Sequence, residues 1–340
     1  MSHFTVLVIG NDPEEQLAPY QENNMGDCPK ELMEFHDLED EYADEWENGT
    51  REMIVMEDGT LKSPYDHCFS EGTGFNKEQV IPDHLERREV PFKEVYEDFE
   101  TYMRDWHGCQ KRDEEIGKFG YWENPNAKWD WYQLGGRWNG FFKLKSPNME
   151  GTVGEPGVFG NEPKHDADQC YKGQVDWDGM MDAAGEEARE RYEKVESLFG
   201  GSIPQLEINW KKDMWDGGKY ADLDIEEKRK IYHEQPALKQ YEAMKKKIWD
   251  DKDNPDRDFV IWLELADYQL SKEEYIEQAR NQAITTFAVV KDGNWYERGS
   301  MGWWACVSNE KDKGEWCNRV ATLINDQTDD TLLSVFDCHI

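Results

Sequence analysis

Phe4-Thr-Val-Leu-Val-Ile9 near one end of the chain and Leu332-Leu-Ser-Val-Phe-Asp-Cys338 near the other decide the fold. Each is a short apolar run rich in β-branched residues. The first stops at Gly10-Asn-Asp-Pro13, a turn sequence, so both read as buried strands. A chain that begins and ends with such strands is expected to pair them. The predicted class is α+β, with a mixed or antiparallel sheet joining the N- and C-terminal strands, Phe287–Val290 as a further member, and an inserted helical lobe. On this reading residues 1–150 plus 259–340 form an α+β core with a Trp-rich segment. Residues 151–258 form a mostly helical lobe, and the glycine-rich stretch 151–160 is the candidate boundary.

Between the outer strands the pattern alternates. Met53–Met56, Asp58-Gly59 and Thr60-Leu61 read as a hairpin, and Phe287–Val290 with Asp292-Gly293 and Trp295-Tyr296 as a clearer one. Val95, Phe99, Met103 and Trp106 carry helical spacing, which predicts a helix over 93–106. Residues 63–91 read as irregular. Helices are expected over 176–199, 224–233, 237–249 (Pro236 at its start) and 313–324. Ser271-Lys-Glu-Glu274 is a capping box that opens a further helix through Ile284. Residues 206–210 and 141–144 read as strands.

Composition sets the next constraint. The chain has 340 residues, with 74 Asp and Glu against 39 Lys and Arg, a net charge of −35. A magnitude of about 2–8 keeps a small domain soluble, so this surplus points to a surface that repels nucleic acid and anionic membrane and attracts basic partners. Hydrophobic residues make up only 37%, but aromatics reach 13%, including 15 Trp. Large rings bury about 150–250 Å² each, so they replace the missing aliphatic area and argue against a disordered chain. Seven scattered cysteines without a CxxC read as reduced thiols. No apolar run approaches the about 18 residues of a membrane span, and the N-terminal stretch lacks the features of a signal peptide. A cytoplasmic protein is expected.

The charge is uneven. Residues 12–52 carry 15 acids and only two bases, and 37–47 carries seven acids with no Lys or Arg. Leu38, Tyr42 and Trp46 recur at i, i+4, i+8 there, so one helix face is expected to bury while the others carry carboxylate. Asp37, Glu39, Asp40, Glu41, Asp44, Glu45, Trp46 and Glu47 are the candidate partner-binding residues. Duplex DNA carries about one charge per 1.7 Å of axis, and a dense carboxylate face can imitate it. The plainer reading is a solvated helix face.

Other motifs carry less. Gly135-Gly136-Arg137, within Trp129-Asp-Trp-Tyr-Gln-Leu-Gly-Gly-Arg-Trp138, reads first as a tight turn between aromatic segments. Its alternative is a phosphate-holding pocket made with Trp131, Arg137 and Trp138. No Walker or GxGxxG spacing supports that alternative. His67-Cys68, His107-Gly-Cys109 and Cys338-His339 contain zinc-type ligands in no standard zinc spacing. Gly10-Asn-Asp-Pro13 lacks a dinucleotide fingerprint and reads as a turn before an acidic helical start. No Gly-x-Ser-x-Gly and no HExxH occurs. No catalytic residue, metal or cofactor is therefore assigned.

Met1-Ser-His-Phe-Thr-Val-Leu-Val-Ile-Gly10 with Glu15-Gln-Leu-Ala-Pro-Tyr20, the Trp129–Trp138 segment, Met301-Gly-Trp-Trp304 and Asp337-Cys-His-Ile340 together resemble a family of proteins encoded by tailed bacteriophages. The resemblance spans the chain. It implies a viral protein acting inside an infected bacterium. Some phage proteins of this size and acidity inhibit host defence complexes, and an inhibitor of the Gabija DNA-nicking system is one candidate. The leading expectation is a non-catalytic interaction protein that binds a host nucleic-acid-targeting complex, with no direct contact to nucleic acid or membrane and with self-association plausible. The alternative is an enzyme acting on a small molecule or nucleotide at the Trp-rich Gly135-Gly136-Arg137 region. A virion component ranks last.

Overall fold

The computed structural model describes residues 2–71, 78–158, 162–215 and 217–340. Backbone contacts divide the chain into two units, Met1–Ala18 with Trp131–Ile340, and Pro19–Asp130. Residues 151–258, expected as a separate lobe, fall in the sheet-bearing unit. Residues 19–130, expected within the core, form the other.

The first unit is built on the strands its sequence announces. Strands β1 (His3–Ile9), β2 (Trp131–Leu134), β3 (Gln169–Tyr171), β4 (Ala288–Lys291), β5 (Asn294–Glu297) and β6 (Leu332–His339) form one six-stranded mixed sheet. The fold is α+β, and the terminal strands are neighbours: β1 runs antiparallel to β6 with Val6 opposite Phe336 and Thr5 opposite Asp337. On its other side β1 runs parallel to β4. β4 and β5 make the expected hairpin, with Asp292 and Gly293 at φ 52° and 72°, the left-handed pair that a tight two-residue hairpin turn requires. The free edge of β6 is shared. Residues 332–334 pair with β3, and 336–339 pair with β2. Because β1, β4 and β6 are buried along most of their length, they read as continuous apolar runs rather than alternating ones.

Helices α1 (Trp177–Leu198), α2 (Lys272–Gln282) and α3 (Lys313–Asn325) belong to this unit. Each opens on a side-chain cap: Asp176 accepts from the Gly179 N–H, Ser271 from Glu274, and Asp312 from Gly314 and Glu315. α3 buries Trp316, Val320, Leu323 and Ile324 in one cluster with Leu7, Ile9, Val289, Leu333 and Val335 of the sheet. A second cluster unites Tyr192 and Val195 with Leu238, Ile248, Val260 and Leu263.

The Pro19–Asp130 unit has smaller sheets. Thr50–Val55 pairs with Leu61–Lys62 as the expected hairpin and, on its other edge, with Glu86–Pro91. Glu34–Asp37 pairs with Gly120–Glu123. The acidic helix spans Leu38–Asn48, and Leu38, Tyr42 and Trp46 pack against a cluster of Phe92, Tyr96, Tyr102, Met103 and Phe119. At about 25 cal/mol per Å², each ring that buries about 150–250 Å² contributes about 4–6 kcal/mol before conformational entropy is charged against it. That is how so charged a segment closes a core.

Several local expectations fail for physical reasons. The helix expected over 93–106 is two helices, Phe92–Val95 and Phe99–Asp105, because Asp98 is extended and caps a new start at the Thr101 N–H. Glu86–Pro91, read as irregular, is a strand that carries few apolar residues because it is mostly exposed. Residues 206–210 form no strand, and Trp210–Asp213 is helical instead. Residues 141–144 make only isolated bridges, Phe142 to Ala167 and Leu144 to Val175. The strand of the aromatic segment is β2, directly before the glycine turn. Within 151–160, the candidate boundary, Thr152 bridges Gln169; residues 159 and 160 lie outside the described residues.

Candidate functional site

Charge is concentrated in the smaller unit. Residues 19–130 hold 30 Asp and Glu against 12 Lys and Arg, whereas the larger unit holds 44 against 27. The net charges, −18 over 112 residues and −17 over 228, are nearly equal, so the smaller unit is about twice as dense.

The acidic helix is held by its own neighbours. Asp37 accepts from the Glu39 and Asp40 N–H groups and pairs with Lys118, which also lies 3.6 Å from Asp40. Lys118 and the backbone donors hold the Asp37 carboxyl below its usual range. Glu39 pairs with Arg112 and accepts the Phe119 N–H at 2.9 Å. Glu41 lies 2.7 Å from His36 Nε2, which lowers the carboxyl and raises the imidazole. Asp44 accepts from Asn48, Glu45 faces His107 at 3.5 Å, and Glu47 pairs with Lys93. Seven carboxylates thus share three fixed cations, and the helix stays net negative. Trp46 packs toward Phe99 and Tyr102, at 5.8 and 5.1 Å between centroids, so the carboxylates rather than the ring face solvent. Asp40, Glu41, Asp44 and Glu47 are exposed. With about 1.5 Å of rise per residue, these four charges lie along about 10 Å of one face.

The Gly135-Gly136 turn is a tight turn between aromatic segments, and its purpose is visible. Both glycines have positive φ, 72° and 55°. A Cβ on Gly135 would meet Asp168 Oδ2 at 2.4 Å, and one on Gly136 would meet Asp337 Cβ at 2.3 Å. Both carboxylates are fully buried. Asp168 accepts from the Phe141 N–H at 2.9 Å and the Gly154 N–H at 2.8 Å. Asp337 accepts from the Arg137 N–H at 2.9 Å and lies 2.8 Å from His3 Nδ1. The Gly135 and Gly136 N–H groups bond to Val335 and Leu134 carbonyls. The amides that a phosphate would need are therefore spent inside the chain.

Of the three residues expected to line one pocket, Arg137 and Trp138 share a cleft and Trp131 lies outside it. Arg137 and Trp138 border a cleft of about 370 Å³ with Lys164, His165, Glu162 and Glu187. Burial lowers the His165 pKa there. Trp131 stacks on His339 at 5.5 Å and meets His3 edge-on at 5.4 Å. Trp138 also borders a second cleft, of about 450 Å³, beside His3.

The His and Cys pairs do not converge. His67 and Cys68 are exposed, His107 sits 2.9 Å from the Tyr102 hydroxyl, and Cys338 is wholly buried in the sheet. Burial pushes the Cys338 thiol well above its ordinary range and the Cys170 thiol up to about 12. Among the described residues no group of three His, Cys, Asp or Glu side chains is placed to hold a metal ion. No helix among them is long and apolar enough to cross a membrane.

Comparison with family models, with curated proteins and with solved structures finds no match to this chain.

His3, Asp168 and Asp337 are the residues that single-residue motifs do not reveal. For His3 and Asp337 the usable signal is the pairing of the terminal strands. Antiparallel register places Thr5 opposite Asp337 and His3 opposite His339 on one face, and that face turns polar one step beyond the buried Leu7–Val335 pair.

Proposed function

We propose that this chain is a phage-encoded, non-catalytic interaction protein. It would occupy the cationic, nucleic-acid-binding face of a host defence complex, with a Gabija-type complex as the first candidate. The observation that supports this reading is the doubled charge density of residues 19–130, presented on a helix seated by Leu38, Tyr42 and Trp46. Four exposed carboxylates in about 10 Å are comparable with the spacing of phosphates along one DNA strand, about 3.4 Å each. A rigid seat matters because a charged face held in place loses less side-chain entropy on binding than a mobile tail.

The test is capture of purified defence complexes, Gabija first, on immobilised protein at about 50 mM and about 300 mM salt, a range that shortens screening from about 14 to about 6 Å. The expected result is retention that weakens steeply with salt and is lost in the D40K/D44K/E47K triple variant. Retention of no defence or DNA-binding complex at low salt would reject the reading. Co-expression with a panel of defence systems during phage challenge supplies the functional arm: loss of protection is expected for the wild type and not for the triple variant.

A further inference from the structure

We infer that the cleft beside His3 is a binding site for a nucleoside phosphate, a site independent of the acidic face. In a chain with 74 acids, no Asp or Glu lines this cleft of about 450 Å³. Its volume lies within the about 300–1,000 Å³ typical of small-ligand sites.

The walls combine what a nucleotide needs. Phe4, Phe287, Trp138 and Trp316 supply ring faces and edges. Arg298 and Lys313 supply positive groups, and His3 supplies a ring nitrogen. Each is positioned by the fold. The Arg298 N–H donates to the Phe287 carbonyl at 2.9 Å, and its guanidinium lies 5.2 Å from the Phe287 ring while Glu310 holds one side at 3.1 Å. Lys313 opens α3 directly after the Asp312 cap. His3 is fixed through Nδ1 by the buried Asp337. That contact makes Nδ1–H the favoured tautomer in the neutral ring and leaves Nε2 as an acceptor for a ligand hydroxyl or N–H. The Thr286 and Trp316 groups are committed elsewhere, Thr286 Oγ1 donating to the Ala288 carbonyl and Trp316 Nε1 to the Thr286 carbonyl. Those two bonds stiffen the floor.

The rim is strained. Trp304 and Ala305 are successive non-glycine residues at φ 60° and 56°. Ser2 holds them there: the Ala305 N–H donates to Ser2 Oγ at 2.8 Å, and Ser2 Oγ donates to the Gly302 carbonyl at 2.8 Å. Strain kept by dedicated bonds at a cleft mouth is a feature of binding sites.

Cys317 also lines the cleft and reports on it, while the exposed Cys68 in the other unit serves as reference. Purified protein is alkylated with iodoacetamide in the presence of AMP, GMP, CMP, UMP, adenosine or inorganic phosphate, and each cysteine is followed by peptide mass spectrometry. At least one nucleotide is expected to slow Cys317 severalfold at millimolar concentration and leave Cys68 unchanged. Phosphate alone is expected to need a higher concentration, and adenosine to protect poorly. K313Q, at an exposed position, and R298Q are each expected to weaken protection about tenfold, as for loss of one charge-assisted bond. Absence of protection by all four nucleotides overturns the inference. So does equal protection by adenosine, or protection unchanged in K313Q in folded protein.

Discussion

The two units close their cores by different means. The larger one follows the ordinary rule: aliphatic side chains of Leu7, Ile9, Val289, Leu333 and Val335 line a sheet, and a helix lays Trp316, Val320 and Leu323 across it. The smaller one has few such residues and relies on rings, with Tyr102 wholly buried among Phe92, Tyr96, Phe99 and Trp46. The units also spend their carboxylates differently. In the larger unit Asp168 and Asp337 are buried acceptors for loop amides. In the smaller one the acids stay near the surface, where partial pairing leaves a net negative face. High acidity alone does not tell these uses apart, since one stabilises a fold and the other offers a surface to a partner.

The largest effects should come from core truncation. Phe142→Ala in the larger unit and Tyr102→Ala in the smaller are each expected to cost about 3–5 kcal/mol, read by hydrogen exchange of β6 and of the 99–105 helix respectively. A Tyr102→Ala loss below about 1 kcal/mol would mean that the rings do not replace an aliphatic core. Asp168→Asn comes next, at about 1–3 kcal/mol, because the amide keeps the shape but can accept at only one of the two oxygens that receive N–H donors; urea unfolding measures it.

Acid should act on both units through histidines. Burial lowers the pKa of His107, stacked 3.6 Å from Tyr42, and of His165. The unfolded chain therefore takes up the proton first, so their contribution is intact above about pH 6.5 and is lost as pH falls below it. His36 has the opposite sign. Its pKa is raised by Glu41, so its contribution is full below about pH 6.5 and fades as pH rises through the folded value. Melting temperature should fall between pH 7.5 and 5.5, with a shallower slope in His107→Gln; an unchanged slope would refute the assignment to His107. The smallest stability effect belongs to Asp40→Asn, within about 0.5 kcal/mol. If Asp40→Asn left affinity for a cationic partner as unchanged as stability, the acidic helix would be only a solvated face.

Much of the frame is legible in the sequence. β1 and β6 announced themselves because strands buried on both faces need unbroken apolar runs. The Asp292-Gly293 hairpin and the Ser271 capping box follow from local backbone chemistry. The Leu38–Tyr42–Trp46 face was visible because helical periodicity survives a surrounding of acids. The break at Tyr96–Asp98 was not, since Val95, Phe99, Met103 and Trp106 keep helical spacing across two helices. Glu86–Pro91 was missed because an exposed strand needs little hydrophobic signal.

Sequence by itself determined the two terminal apolar strands, the aromatic character of the core and the surplus of carboxylate, since each depends on composition or on neighbours a few residues apart. Tertiary structure alone decided which carboxylates became buried acceptors, which were paired by Lys93, Arg112 and Lys118, and where an acid-free cleft opened beside His3. Those outcomes depend on groups as far apart in the chain as His3 and Asp337. Electrostatic and hydrogen-bond energies are set by distance and burial in space, and sequence separation carries no record of either.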